Sequence, residues 1–166
     1  MYRTIEDFKT DWAHEAESTQ KIFDHLTDAS MNTRATPDGR TLGFIAWHIT
    51  GCLGMAAEAG LPLEVPAEYG TQPPEGAAAV KAAYRKYAAE LITKIEDNWK
   101  DANLLETVEM YGMTWTRGYA LLGLVKHQAH HRGQMTVLMR QAGLLVPGPY
   151  GPSKEEWAGM GMPAQP

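Results

Sequence analysis

The sequence of 166 residues has only one cysteine, no long apolar run and no block of basic residues. A single cysteine, Cys52, excludes an internal disulfide framework. No apolar run approaches the roughly 18 residues of a membrane-spanning helix, and no basic segment followed by an apolar run opens the chain as a secretory signal would. We therefore expect a cytoplasmic protein that has no contact with a membrane.

Positive charge is scarce relative to negative charge, and the formal net charge is −5. Such a surface would repel a nucleic-acid backbone over most of its area, so nucleic-acid binding is disfavoured. Apolar residues, by contrast, make up 44% of the chain, which is enough for one sizeable core in a single domain, 1–166. Many glycines and prolines fall within 60–76 and 143–166, which favours helices joined by loops.

Four segments have the alternating three- and four-residue spacing that is typical of amphipathic helices. They run from about Thr4 to Asn32, from the expected N-cap Thr41 to about Ala59, from about Pro74 to Trp99 and from about Thr116 to Ala142. Gly143 is expected to close the last helix in a left-handed conformation. Two short β-prone runs around Tyr111 and Gly112 predict a small hairpin or an extended excursion before that helix. The expected fold class is all-α, an up-down four-helix bundle about 35 Å long.

The last segment, 143–166, is too rich in proline and glycine to form a helix. Its aromatic residues Tyr150 and Trp157 suggest that it packs on the bundle or on a neighbouring subunit. The sequence therefore predicts an irregular C-terminal tail within the same domain.

Three of the six histidines lie within HQAHHRGQ, residues 127–134. His127 and His131 are four residues apart, so on a helix they share a face and their Cβ atoms lie about 5–6 Å apart. They interrupt an apolar stripe, and burying two imidazoles costs free energy unless each finds a partner. A metal ion would satisfy both, whereas the alternative is a solvated groove or bonds to buried carboxylates.

His48 favours the metal interpretation because it lies on the inward stripe of the second predicted helix. If the second and fourth helices run parallel, it has a similar height to the pair. Three histidines with open positions are the arrangement of catalytic zinc, and nickel, cobalt or iron could also occupy it. We therefore expect His48, His127 and His131 to bind a divalent metal ion. Cys52 could supply a fourth ligand, although a small residue on a core stripe usually only packs.

Four further polar residues are candidates for a pocket or for contacts with the metal ligands. Glu15 and Thr19 lie on the inward stripe of the first helix, and His130 points about 60° away from the face of the histidine pair. We expect these three to lie beside the ligands rather than to bind the metal. Arg132 could meet an anionic substrate, an acidic group across a subunit interface or a surface carboxylate.

The segment HQAHHRGQMTVLMRQAG resembles the closing helix of the DinB/YfiT-like superfamily, and WHITG resembles the region that carries its first histidine. The resemblance extends over nearly the whole chain. It implies a four-helix bundle, commonly a homodimer, in which His48, His127 and His131 bind a divalent metal, often zinc or nickel. Characterised relatives include transferases and isomerases that use low-molecular-weight thiols such as bacillithiol or mycothiol, and many others are described as metal-dependent hydrolases or damage-inducible proteins.

Two functional hypotheses follow. In the first, the protein is an enzyme in which a metal-bound thiol or water attacks a small electrophilic substrate, as an S-transferase or a hydrolase would. In the second, it is a non-catalytic, dimeric metal- or ligand-binding protein in a stress or damage response, and the metal stabilises the bundle. A di-iron bundle is disfavoured because it requires several inward-facing glutamate ligands, including Glu-x-x-His elements.

Overall fold

Long helices with buried apolar stripes dominate the computed structural model, which describes residues 1–65 and 71–163. The helices within these ranges are α1 (Ile5–Asp24), α2 (Leu42–Gly51), α3 (Gly54–Glu58), α4 (Ala77–Asn98) and α5 (Arg117–Gln141). Two antiparallel strands, β1 (Thr107–Met110) and β2 (Met113–Thr116), lie between α4 and α5. The predicted fold class, an all-α bundle with a small β excursion, is confirmed. None of these helices has the length and apolarity that crossing a membrane requires.

The helices pack so that α4 and α5 each contact both α1 and α2, while α3 packs on α5. Together α2 and α3 occupy the place of the second helix of the bundle. The space between the helices is filled by buried apolar side chains such as Phe8, Ile49, Leu91 and Leu124. Because α5 has neighbours on two sides, side chains on more than one of its faces are buried.

The first helix is shorter than the prediction of about Thr4 to Asn32. It ends at Asp24, with His25 as its C-cap, and a 3-10 turn follows at Asp28–Ser30. Thr27 and Ser30 exchange hydrogen bonds between side chain and backbone in a capping box, which starts this turn. The predicted helix was too long because the apolar spacing continues to Leu26, which is buried although it lies beyond the end of α1.

The second helix is interrupted where the prediction had it continuous to about Ala59. The backbone amides of Leu53, Met55 and Ala56 donate to the carbonyl three residues earlier, as in a 3-10 helix, instead of four residues earlier, as in an α-helix. Gly51 and Gly54 flank the interruption, and glycine weakens a helix interior because it loses the most conformational freedom on folding. The bend lies next to Cys52. Side chains before the bend, such as His48, and after it, such as Met55, line one cavity.

The predicted hairpin is present and has a two-residue turn. Tyr111 and Gly112 both have positive φ, 53° and 72°, which is the requirement of a type I′ turn. The strand register pairs Val108 with Trp115. The Trp115 ring contacts the rings of Tyr111 and Tyr119, with centroid separations of 5.7 and 4.9 Å. The hairpin thereby holds aromatic side chains above the start of α5.

The third and fourth predicted helices correspond to α4 and α5, with ends that differ by a few residues. At the start of α4 the Ala77 amide donates a hydrogen bond to the Asp28 carboxylate, at an N to O distance of 2.7 Å. Thr116 caps α5 by accepting a hydrogen bond from the Tyr119 amide. Gly143 follows α5 with φ 71°, so its predicted left-handed conformation is confirmed.

Candidate metal centre

Three histidine side chains from two helices converge on one point. The His127 Nε2 atom lies 3.1 Å from His48 Nε2 and 3.1 Å from His131 Nε2. The three ligand atoms lie within 4.8 Å of one another, and no other group of three such residues was found within the described ranges. The structure therefore brings together the three residues whose spacing predicted a metal site, and they could bind a metal ion.

The two helices position these histidines in different ways. His127 and His131 are one turn apart on α5, and their ring centroids are 4.5 Å apart. His48 comes from α2, which packs against α5, and its ring stacks on Phe44 one turn earlier with a centroid distance of 6.4 Å and an interplanar angle of 8°. The packing of α2 against α5 thus places the third imidazole next to the pair.

A single hydrogen bond cannot join His127 Nε2 to both of the imidazole nitrogens that it faces. A neutral imidazole nitrogen either donates one hydrogen or offers one lone pair, and His127 Nε2 faces two other nitrogens at 3.1 Å. Zinc–nitrogen bonds of about 2.0–2.1 Å put tetrahedral ligands roughly 3.4 Å apart, close to these separations. A cation that accepts all three lone pairs therefore fits the donor set.

The protonation states suit this role. Burial is the main cause that lowers the pKa of His48 to about 4, and repulsion from the positive charges of His131, His127 and Arg40 contributes to this value. Burial is also the main cause that lowers the pKa values of His127 and His131. Neutral imidazoles, which keep a lone pair for a metal, are therefore favoured at neutral pH.

Gln134 fixes the orientation of His131, a contact that the sequence analysis missed. His131 Nδ1–H donates to the Gln134 side-chain oxygen over 2.7 Å, which leaves the lone pair of Nε2 directed at the other histidines. The Gln134 amide nitrogen in turn donates to His130 Nε2 over 3.1 Å. His130 itself lines the cavity and contacts the edge of the His131 ring, so it lies beside the ligands as expected. The three-residue spacing from His131 to Gln134 on one helix was the available signal.

Cys52 lies next to the centre without joining the group of three. Its Sγ atom is 3.5 Å from His48 Nε2, yet the cluster of mutually close ligand atoms contains only the histidines. Burial raises the pKa of the Cys52 thiol to about 12, so the protonated form dominates at neutral pH. A free thiol of this kind is a poor nucleophile.

A cavity of about 880 Å³ opens beside the three histidines. Its walls come from α2, α3, α5, the hairpin and the residues Arg40, Val65 and Thr71, and most of the lining surface is apolar. The lining side chains include Phe44, Trp47, Met55, Val65, Tyr111 and Trp115. A cavity of this size can hold a small organic molecule against the centre.

Three of the residues expected near the ligands lie in a separate buried network that does not line this cavity. Arg132 forms an ion pair with Glu15, and it also donates to the Thr19 hydroxyl and the Glu15 carbonyl, each over 2.8 Å. Arg132 contacts the Tyr150 hydroxyl of the tail, which donates to the Glu15 carboxylate over 2.7 Å. Thr19 donates to Gln128, which also accepts from the Tyr84 hydroxyl.

Arg132 pairs with a buried carboxylate, so the surface carboxylate that was one of the alternatives for this residue is not its partner. The Arg132 side chain is 1% exposed, and its partner Glu15 is in the same chain. The reason is that α5 packs against α1 as well as α2, so a second face of the helix is buried. Glu15 and Thr19 face this second contact rather than the histidines.

Comparisons with known proteins identify relatives of this chain. A family model described as the DinB family matches residues 1–165. The protein YrdA of Bacillus subtilis (strain 168) is 41% identical over 165 residues, which is 99% of this chain and 98% of YrdA. A crystal structure of a DinB-like protein from Bacillus cereus ATCC 10987 has 41% identity and a TM-score of 0.84, and the match covers 89% of this chain and 99% of that one.

A more distant crystal structure shares the fold alone. The DinB-like protein YjoA of Bacillus subtilis has 13% identity and a TM-score of 0.65, with 82% of this chain and 92% of that chain covered. The bundle is thus maintained across very different sequences, as expected where the pattern of apolar residues rather than their identity determines the packing.

Proposed function

The chain belongs to the DinB family, and from that premise we propose that it is a metal-dependent enzyme that promotes the attack of a thiol or of water on a small electrophilic substrate. His48, His127 and His131 would hold a divalent metal, zinc or nickel. The observation that carries the proposal is the convergence of three Nε2 atoms at the wall of a large, mostly apolar cavity. A site that only stabilised the bundle would not need such a cavity.

The residues of this chain have distinct tasks in the proposed reaction. The histidines hold the metal, and Gln134 fixes the tautomer and ring orientation of His131. The aromatic walls hold the organic substrate and exclude water from around it. A divalent cation bound here would supply Lewis acidity, which lowers the pKa of a thiol or of water and so provides a nucleophile at neutral pH.

Metal removal and replacement tests the proposal. Protein treated with a chelator should lose activity, and zinc or nickel should restore it, in two assays: a low-molecular-weight thiol with chlorodinitrobenzene, and water with p-nitrophenyl acetate. A variant with His127→Ala should stay inactive when the metal is added back. Turnover that is indifferent to chelation would overturn the proposal, and a difference between the two assays distinguishes the S-transferase from the hydrolase.

A non-catalytic metal protein is the second candidate, and the position of Cys52 favours it. With Sγ 3.5 Å from His48 Nε2, a small movement would let the thiolate complete a closed shell of three nitrogens and one sulfur, as in structural zinc sites. A Cys52→Ser variant separates the candidates. An enzyme keeps its metal and its turnover in this variant, whereas a closed structural site loses metal affinity and the melting temperature falls.

The proposal also includes a homodimer in the cytoplasm. Large apolar side chains are exposed near the hairpin and the start of α5, among them Leu105, Tyr111 and Met113 at 61%, 60% and 53%. Apolar surface of this kind is typical of protein–protein contacts. Light scattering at micromolar concentration should give twice the mass of the chain, and a monomer would contradict this part of the proposal.

A further inference from the structure

Arg40 lies at the rim of the cavity, in a column of side chains that leads to the metal centre. It directly precedes Thr41, the N-cap of α2, and its guanidinium carbon lies 5.2 Å from the centroid of the Phe44 ring. The Phe44 ring stacks in turn on His48. Phe44 and His48 are four residues apart on one face of α2, and Arg40, just before the N-cap, extends this column through its contact with the Phe44 ring.

Arg40 takes part in none of the ion pairs found within residues 1–65 and 71–163, because each carboxylate in those pairs is bound to another residue. Its guanidinium lies over the face of the Phe44 ring. Glu58, the one carboxylate that lines the cavity in the described ranges, lies at the end of α3 and faces Tyr111. The two charges therefore come from opposite ends of the segment formed by α2 and α3.

Arg40 lines the same cavity as the three histidines. An anion bound at this position would be attracted both by the guanidinium and by a metal cation held by the histidines. Aromatic side chains, Trp47 and Trp115 among them, also line the cavity. The cavity thus offers a cation to an anionic group of a ligand and aromatic surface to its apolar part.

We propose that the substrate of this site is a small carboxylate with an aromatic or similarly apolar body, bound with its carboxylate on Arg40 and its body against Trp47 and Trp115. The guanidinium offers a planar pair of N–H donors that matches the two oxygens of a carboxylate, and its stacking on Phe44 reduces the freedom lost on binding. This inference rests on the proposed function, because it assigns a substrate class to the same cavity.

The test compares two probes that differ only in charge, phenylbutyrate and phenylbutyramide. Calorimetric titrations would use the full chain as wild type, Arg40→Gln, Arg34→Gln and Glu58→Gln, each with zinc and after zinc removal. Arg34 is the matched control because it is an exposed arginine on the same loop and donates to the Pro37 carbonyl. Glu58→Gln removes the opposite charge from the same cavity.

Wild type should bind the acid about tenfold more tightly than the amide, the size expected of a hydrogen bond to a charged group. Arg40→Gln should abolish this preference and leave the affinity for the amide unchanged, which also shows that the cavity is intact. Arg34→Gln and Glu58→Gln should keep the preference. These results should hold in the zinc-free protein, so they do not depend on metal-dependent turnover.

Three results would overturn the inference. The first is equal affinity of wild type for acid and amide, or no binding of either at millimolar concentration. The second is an acid preference that survives in Arg40→Gln. The third is a preference that exists only with zinc and is indifferent to Arg40, since the carboxylate would then bind the metal. Failure of the metal-dependent assays with a retained Arg40 preference would overturn the proposed reaction alone.

Discussion

His48 Nε2 lies 3.1 Å from His127 Nε2 across the contact between α2 and α5, although 79 positions separate the two residues in the chain. Local structure cannot produce this contact, because each histidine is fixed by a different helix. The geometry of the centre is therefore a consequence of how the bundle packs, and a change at any one of the three imidazoles should be visible in metal binding.

Replacement of His131 should remove the metal. We expect wild-type protein purified with zinc to hold one equivalent per chain by elemental analysis and His131→Ala to hold almost none, because two imidazoles with a vacant third position bind weakly. His25→Ala is the matched control, since His25 is exposed on another part of the chain. Equal metal content in wild type and His131→Ala would show that the three histidines are not the site.

Replacement of Gln134 should weaken metal binding without abolishing it. Gln134→Leu removes the oxygen that accepts the His131 Nδ1–H, and loss of such a contact typically costs about 10–100-fold in metal affinity. Gln134→Glu keeps an acceptor at that position and should restore the affinity. Competition with a zinc chelator measures these values, with Lys126→Gln as an exposed control on the same helix. An unchanged affinity in Gln134→Leu would show that His131 needs no such orientation.

The histidine centre could be predicted from sequence because the spacing of four and the inward stripe of α2 select the same three residues. Gln134 could not be identified with the same certainty, since its contact depends on the side-chain rotamers of two residues. Arg132 was misplaced because one apolar stripe describes one buried face, whereas α5 is buried against both α1 and α2. Sequence periodicity alone does not show which polar residues face the second contact.

The helices were predictable for a similar reason, and their interruptions were not. Apolar spacing continues through Leu26 and through Cys52 and Leu53, so it gives no sign of the end of α1 or of the bend after α2. These features depend on local interactions that compete with helix formation. They are the capping box of Thr27 with Ser30 and the glycines on either side of the bend. The hairpin was predictable because Gly112 at its turn is a strong local signal.

The buried ion pair of Glu15 and Arg132 should be costly to break. Arg132→Met leaves the Glu15 carboxylate buried without its cation, and removal of one partner of a buried pair costs about 3–5 kcal/mol of unfolding free energy. Arg140→Met at the exposed pair with Glu155 should cost less than about 1 kcal/mol. Urea unfolding measures both. Replacement of both buried partners, Glu15→Leu with Arg132→Met, should recover part of the loss, and a purely additive double variant would contradict a direct pair.

Tyr150 should titrate at unusually high pH. Burial, with the hydrogen bond to the Glu15 carboxylate, raises its pKa from 10.0 to about 12. Because the folded pKa is the higher one, the contribution of Tyr150 to stability is present below pH 10 and is lost as the pH rises towards 12. The ultraviolet difference spectrum between wild type and Tyr150→Phe should therefore show little tyrosinate at pH values just above 10. A Tyr150 pKa equal to that of the unfolded chain would show that the contact with Glu15 does not form in solution.

Two glycines of α5 should respond to alanine in opposite directions. A Cβ atom at Gly118 would lie 2.6 Å from the Tyr2 carbonyl oxygen and 3.2 Å from that of Leu104, and these backbone atoms cannot turn away as a side chain would. Gly118→Ala should therefore destabilise the protein, by about 1–3 kcal/mol. At Gly133 a Cβ would meet no described atom within 4 Å, so alanine should stabilise the helix by roughly 0.5–1 kcal/mol.

The pair is informative because the helix and the substitution are the same, so that helix propensity favours alanine at both positions. Any difference in sign must come from the close approach of the N-terminal segment and the turn at Asp101–Leu105 to the start of α5. Urea unfolding of the metal-free protein gives both free energies without a contribution from metal bound at the histidines. A Gly118→Ala variant as stable as wild type would mean that this end of α5 packs less tightly against Tyr2 and Leu104 than the structure shows.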